Sequence, residues 1–221
     1  MTDLNDVYQR LAAAYGPLHW WPAETPFEVA IGAILTQNTN WKNVEMAIGN
    51  LRRAQALTPQ ALSELSRDAL EQLIRPSGFF RQKAERLQLL CAYLRTHHQG
   101  RLEQLLRQPL EQARRELLQL KGIGPETADS ILLYAGDLPS FVVDAYTRRL
   151  FERLGELRKN QSYEQIRERF MARLPAAADL YNEYHALIVE HCKRLCRTRP
   201  RCGDCCLGAI CRHARRLAPP A

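Results

Sequence analysis

Helix-start signals recur along this chain, while the alternation of apolar and polar residues that marks strands is nearly absent. Thr25-Pro26-Phe27-Glu28 combines an N-cap, a proline at the first helical position and a capping-box glutamate, ahead of the apolar run Val29 to Leu35. A buried helix should start there. Thr58-Pro59 repeats the cap-then-proline device, followed at helical spacing by Leu62, Leu65, Ala69, Leu70 and Leu73, and Ser162 with Gln165 forms another capping box. Amphipathic segments fall at roughly 41–54, 81–97, 109–120, 125–135, 144–154, 161–173 and 176–191. The pattern predicts an all-α protein of about ten short helices. No repeat or low-complexity linker interrupts it, so any division into domains must come from packing.

The 221 residues suffice for one large domain or two intertwined smaller ones with a real core and no disulfide staples. No apolar run approaches the roughly 18 residues of a membrane span, and the start MTDLNDVYQR lacks a signal-peptide pattern. The expectation is a soluble, cytoplasmic protein without a membrane partner. Cys91 stands alone, whereas Cys192, Cys196, Cys202, Cys205, Cys206 and Cys211 crowd together, which in that compartment reads as a metal site before disulfides. The net charge of +7 is concentrated with them: residues 192–221 hold eight Lys/Arg against the single acid Asp204, and the remainder balances. Such a basic segment suits a phosphate-rich partner, or serves only to keep a tail solvated.

Two stretches carry chemistry. In Leu120-Lys121-Gly122-Ile123-Gly124-Pro125, one helix ends, two glycines permit a tight turn, and Pro125 starts the next helix. The turn lets backbone N–H groups and a helix N-terminus approach an anion such as a phosphate, although G-x-G turns between helices are common. Downstream, Phe141-Val142-Val143-Asp144-Ala145-Tyr146 places one carboxylate in an apolar run at a helix start, where by itself it reads as an N-cap.

Together these two stretches resemble the paired signature of the helix-hairpin-helix Gly/Pro-Asp DNA glycosylases, the superfamily containing endonuclease III, and the likeness runs from Trp20 to Cys211. It implies two helical lobes, one of residues 25–135 with the hairpin and one of 1–24 plus 136–221 with a C-terminal iron–sulfur loop, and double-stranded DNA carrying a damaged base bound between them by a monomer. Asp144 would be the catalytic carboxylate, and Lys121, Gly122 and Gly124 would meet phosphate. Leu35-Thr36-Gln37-Asn38-Thr39 resembles the loop whose glutamine fills the gap left by an extruded base, a role that falls on Gln37. Ser77-Gly78-Phe79-Phe80-Arg81-Gln82-Lys83-Ala84 resembles the wedge loop, with Phe79 at the inserting position. Such fillers offset part of the cost of unstacking.

Cys196-x5-Cys202-x2-Cys205-x5-Cys211 is close to the cluster pattern of endonuclease III, one residue shorter in its first gap, and implies a [4Fe-4S] cluster. A four-thiolate zinc site is the alternative, and Cys192 or Cys206 could replace Cys196 or Cys205. The loop would present Arg197, Arg199 and Arg201 to phosphate.

Bifunctional members place a lysine just inside the second hairpin helix, where this chain has Glu126. A monofunctional enzyme follows from the resemblance. Trp20-Trp21-Pro22, Arg75-Pro76-Ser77-Gly78-Phe79 and the hairpin with Glu126, Ala128 and Asp129 look like the endonuclease III-like 3-methyladenine DNA glycosylases, whose aromatic base pocket would fall on Trp20, Trp21 and Trp41. A cationic methylpurine stacks well on indoles. The alternatives are an endonuclease III-type oxidised-pyrimidine glycosylase with AP lyase activity, a non-catalytic DNA-gripping module, and a zinc-stabilised interaction protein.

Overall fold

The computed structural model describes residues 2–18, 20–21 and 23–217, so that Pro22 of the Trp20-Trp21-Pro22 segment lies outside the described residues. Its helices are Leu4–Tyr15 (α1), Pro26–Leu35 (α2), Trp41–Arg53 (α3), Pro59–Glu64 (α4), Arg67–Ile74 (α5), Phe80–His97 (α6), Leu102–Leu106 (α7), Leu110–Gln119 (α8), Pro125–Gly136 (α9), Ala145–Leu154 (α10), Tyr163–Met171 (α11), Ala178–Arg194 (α12) and Arg212–Leu217 (α13). There is no strand among the described residues, and none of these helices is long and apolar enough to cross a membrane. The chain forms two compact units, one of Trp21–Leu138 and one of Met1–Trp20 with Pro139–Ala221.

In the unit of Trp21–Leu138, α2 is the buried axis. Thr25 caps it through Glu28 N–H at 3.2 Å, Pro26 opens it, and every residue from Phe27 to Leu35 is buried. It packs on α9, α3 and α6, so Ile31, Ile34 and Leu35 share one core with Val44, Leu51, Leu87, Leu90, Ile131 and Leu132. Each such side chain stabilises the fold by roughly 1.5–3 kcal/mol through burial. The stretch from Thr58 to Leu73, expected as one helix, forms two: α4 stops at Glu64, and Ser66 caps α5 through Ala69 N–H. A buried bidentate pair ties α8 to α9, with Arg114 Nε 2.8 Å and Nη2 3.1 Å from the two Asp129 oxygens.

The other unit holds α1 and α10–α13. Phe141 stacks on Phe170 at 4.2 Å, and Phe151, Tyr181 and Tyr184 complete the aromatic core. Helix α1 was not signalled by any strong cap pattern in the sequence, yet Asp3 caps it and Leu4, Val7 and Leu11 are buried at helical spacing against α12. Tyr184 donates to the Leu4 carbonyl at 2.7 Å, which fixes the N-terminus on the unit.

Candidate functional site

The turn between α8 and α9 requires glycine at Gly122 twice over. Its φ is +86°, and an added Cβ would overlap the stem of Arg86, 2.6 Å from Cδ and 2.7 Å from Cγ. Helix α9 then starts at Pro125 with no side chain capping its first turn, which leaves its positive end to serve an anion. Lys121 is exposed beside it and pairs with Glu85 at 2.6 Å. That pairing, first through the hydrogen bond, holds the Glu85 carboxyl below its usual range. Gln37 reaches the same turn: its Nε2 donates to the Gly122 carbonyl at 3.0 Å and to Thr127 Oγ1 at 2.8 Å, while Arg86 Nη1 donates to its Oε1.

Two loops beside the hairpin hold residues in the left-handed region. In the first, Asn38 has φ +55°; in the second, Gly78 has φ +67° and Phe79, 62% exposed, has φ +45°. A left-handed backbone is uncommon for an aromatic residue, and such strain concentrates at functional sites. Lys83, fully buried on α6, ties the two loops together by donating to the Leu35 carbonyl at 2.8 Å and the Ser77 carbonyl at 2.7 Å. Burial, with Arg86 nearby, lowers its pKa to about 8.

Asp144 is the N-cap of α10, and its Oδ1 accepts from Thr147 N–H at 2.7 Å. Its Oδ2 lies 3.6 Å from His185 Nε2 on α12. Burial pushes the carboxyl up, but His185 and the Thr147 donors outweigh that and hold it below the usual aspartate range. The carboxylate is therefore ionised at neutral pH and fixed in orientation. Trp20 stacks on His185 at 5.8 Å, with the Lys193 ammonium 5.7 Å from the Trp20 ring.

Trp21 and Trp41 form a separate aromatic group. They meet edge to face at 5.1 Å, and Tyr134 of α9 lies 5.0 Å from Trp21. Gly32 of α2 makes room for the Trp21 ring, since a Cβ there would come within 3.2 Å of it. Trp41 donates to Glu45 at 2.8 Å.

Cys196, Cys202, Cys205 and Cys211 line one small cavity with Leu150, Leu195 and Leu207, and neither Cys192 nor Cys206 lines it. Arg153 holds the loop by donating to Cys196 Sγ at 3.2 Å and to the carbonyls of Arg197 and Thr198, and Arg149 donates to the Cys196 carbonyl at 2.9 Å. A hydrogen bond from Cys192, with help from Arg153, lowers the Cys196 pKa. His191 is buried between the Tyr15 hydroxyl at 2.9 Å and Cys205 Sγ at 3.5 Å, and burial lowers its pKa to about 4. No group of three or more His, Cys, Asp and Glu among the described residues is placed to hold a single metal ion.

The structure thus brings Gln37, Gly122 and Lys121 together around α6, and the four cysteines around one cavity. It places Trp20 beside Asp144 through His185, and Trp21 with Trp41. Arg86, Arg153, His185 and Tyr134 carry no signal of their own in the sequence. Each sits inside an amphipathic helix, where nothing in the periodicity distinguishes it from an ordinary surface or core residue.

A family model described as HhH-GPD superfamily base excision DNA repair protein matches residues 31–176. A Methanocaldococcus jannaschii protein, named provisionally DNA repair glycosylase MJ1434, is 47% identical over 207 residues, covering 93% of this chain and 94% of that one. Among solved structures, an endonuclease III in non-covalent complex with DNA is 25% identical with a TM-score of 0.83, covering 96% of this chain and 95% of that one. The Helicobacter pylori 3-methyladenine DNA glycosylase MagIII, bound to 1,N6-ethenoadenine, is 29% identical with a TM-score of 0.76, covering 87% and 98%.

Proposed function

This chain belongs to the HhH-GPD superfamily of base excision DNA repair proteins and is a DNA glycosylase, and we propose that it is a monofunctional one that releases alkylated purines such as 3-methyladenine from double-stranded DNA. The observation that carries the catalytic reading is the Asp144 carboxylate, kept ionised by His185 and Thr147 at the start of α10. Glycosidic cleavage builds positive charge on the sugar, and a fixed carboxylate stabilises that charge and orients the attacking water. Thr147 N–H holds Oδ1 while Oδ2 faces His185 Nε2, so both oxygens are fixed in orientation.

The hairpin around Gly122 and Gly124, with Lys121, grips phosphate, and Gln37 with Phe79 occupies the space of the flipped nucleotide. An exposed aromatic held by a left-handed backbone suits a wedge. The Trp21, Trp41 and Tyr134 rings favour a cationic base, which departs without a strong general acid. Glu126, in the first turn of α9, is no amine nucleophile, so strand cleavage through a Schiff base is not part of the reaction.

The cysteines that line this cavity suit a [4Fe-4S] cluster, which Cys196, Cys202, Cys205 and Cys211 would hold, since four thiolates is its donor set. When bound, the group would cross-link the C-terminal loop. Arg149 and Arg153 hold that loop from α10, the helix that Asp144 caps.

Similarity to an endonuclease III, together with the four-cysteine set, favours one alternative, an oxidised-pyrimidine glycosylase with lyase activity. Incubation with methylated-purine, oxidised-pyrimidine and abasic duplexes, with and without later alkali, separates the two. The proposal expects methylpurine release, strand breaks only after alkali, and no adduct trapped by borohydride. Release of oxidised pyrimidines alone, or a trapped adduct, overturns it.

A further inference from the structure

About one turn of α6, from Lys83 to Arg86, reaches three elements to which the proposed function gives DNA-contacting work. Lys83 bonds the Leu35 and Ser77 carbonyls behind the gap-filling and wedge loops, Glu85 pairs with Lys121 of the hairpin, and Arg86 joins Gln37 to the hairpin turn. Arg86 is the most constrained of the three. Its stem lies where a side chain at position 122 would be, so Gly122 accommodates it, and its Nη1 donates to Gln37 Oε1.

A guanidinium can only donate hydrogen bonds. Arg86 therefore dictates which end of the Gln37 amide faces it, and the amide nitrogen is turned to the Gly122 carbonyl and Thr127 Oγ1. Both ends of the amide are thereby held, the nitrogen on the hairpin and the oxygen by α6. A free glutamine would lose its rotamer freedom only on entering DNA, whereas this one has already lost it.

We propose that Arg86 is the positioning residue for Gln37: it locks the gap-filling amide to the hairpin turn, so that phosphate grip and occupation of the vacated space are set by one rigid piece. The inference rests on the glycosylase reading, in which Gln37 fills the gap.

The test measures affinity of the full chain for two duplexes, one intact and one with a tetrahydrofuran abasic analogue, in wild type, Arg86→Met, Gln37→Ala and the double variant. Methionine keeps an apolar stem over Gly122 and removes the donor. Arg86→Met should lose about tenfold in affinity for the abasic duplex, the scale of one charge-assisted hydrogen bond, and less than twofold for the intact one. The double variant should bind the abasic duplex no worse than Gln37→Ala, because Arg86 acts through Gln37. Arg86→Lys, which restores a donor, should recover part of the loss, and it stands in should Arg86→Met melt below the assay temperature. Losses that multiply in the double variant, equal weakening on both duplexes, or no change in Arg86→Met each overturn the inference alone. A wild-type chain that does not prefer the abasic duplex overturns the glycosylase reading and this inference with it.

Discussion

Replacing Asp144 by Asn and by Ala separates its two tasks. As a cap, the side chain needs only an oxygen 2.7 Å from Thr147 N–H, which Asn supplies about as well as Asp. Asp144→Ala loses that bond, worth about 1 kcal/mol, or roughly 2–4 °C in a chain of this size. Asp144→Asn keeps the cap bond and loses only the contribution of the ionised carboxyl beside His185. For catalysis the order differs, since only the carboxylate offsets the charge of an oxocarbenium-like sugar, and both variants should lose about a thousandfold or more in base release, some 4 kcal/mol of barrier. Affinity for abasic duplex should hold, because the lost interaction belongs to the transition state. The assay is single-turnover release of methylated purine, read beside thermal melts and abasic-duplex binding. Asp144→Asn that releases base within tenfold of wild type, or loses abasic affinity in step with activity, refutes the reasoning. The wild-type acid limb should follow the depressed carboxyl, staying active at pH values where an ordinary aspartate is already protonated. The sign for stability agrees: a carboxyl lowered on folding stabilises fully above its unfolded pKa of about 3.9 and loses that contribution as pH falls through the folded value.

Asp129→Asn should cost about 3–5 kcal/mol in urea unfolding by leaving the Arg114 guanidinium buried opposite a neutral amide, and the paired change Arg114→Met with Asp129→Leu should recover much of it. A similar loss in the paired variant would contradict this. Protein purified in air should be yellow-brown with about four irons per chain; Cys202→Ala should lose iron and weaken DNA binding, whereas Cys91→Ala, Cys192→Ala and Cys206→Ala should keep both, because only the other four cysteines line the cavity. One equivalent of zinc in a colourless protein would overturn the cluster. Trp41→Ala should slow methylpurine release about ten- to a hundredfold, some 1–3 kcal/mol of stacking and cation–π attraction, and barely change abasic-duplex affinity. A large drop in melting temperature with activity per folded molecule intact would instead mark Trp41 as a core anchor for α3.

Local chemistry was legible in the sequence because it acts between near neighbours. The caps at Thr25, Thr58 and Ser162 form as their residue types require, the glycine turn sits at Gly122, and Asp144 caps the helix it introduces. Cysteine spacing singled out the four thiols that share a cavity. The family signature was equally local, two short strings in the right order, and it led to the superfamily whose model covers residues 31–176. Short helices were harder to read: α7 spans only Leu102–Leu106 and α13 only Arg212–Leu217, too few residues for a period to register.

Long-range pairings were decided by tertiary packing alone. Gln37 lies 85 residues from the Gly122 carbonyl that it bonds, and Arg86 lies 49 from Gln37. His185 comes beside Asp144 only because α12 packs on α10, and Trp20 turns to His185 while Trp21, its neighbour in sequence, turns to Trp41. Helical periodicity says which face of a helix is buried; which partner meets that face depends on how side chains from distant helices fill one another's space. The sequence by itself therefore determined the longer helices, the glycine turn and the capping carboxylate, and the packed structure decided where the short helices fall and which side chains hold each element in place.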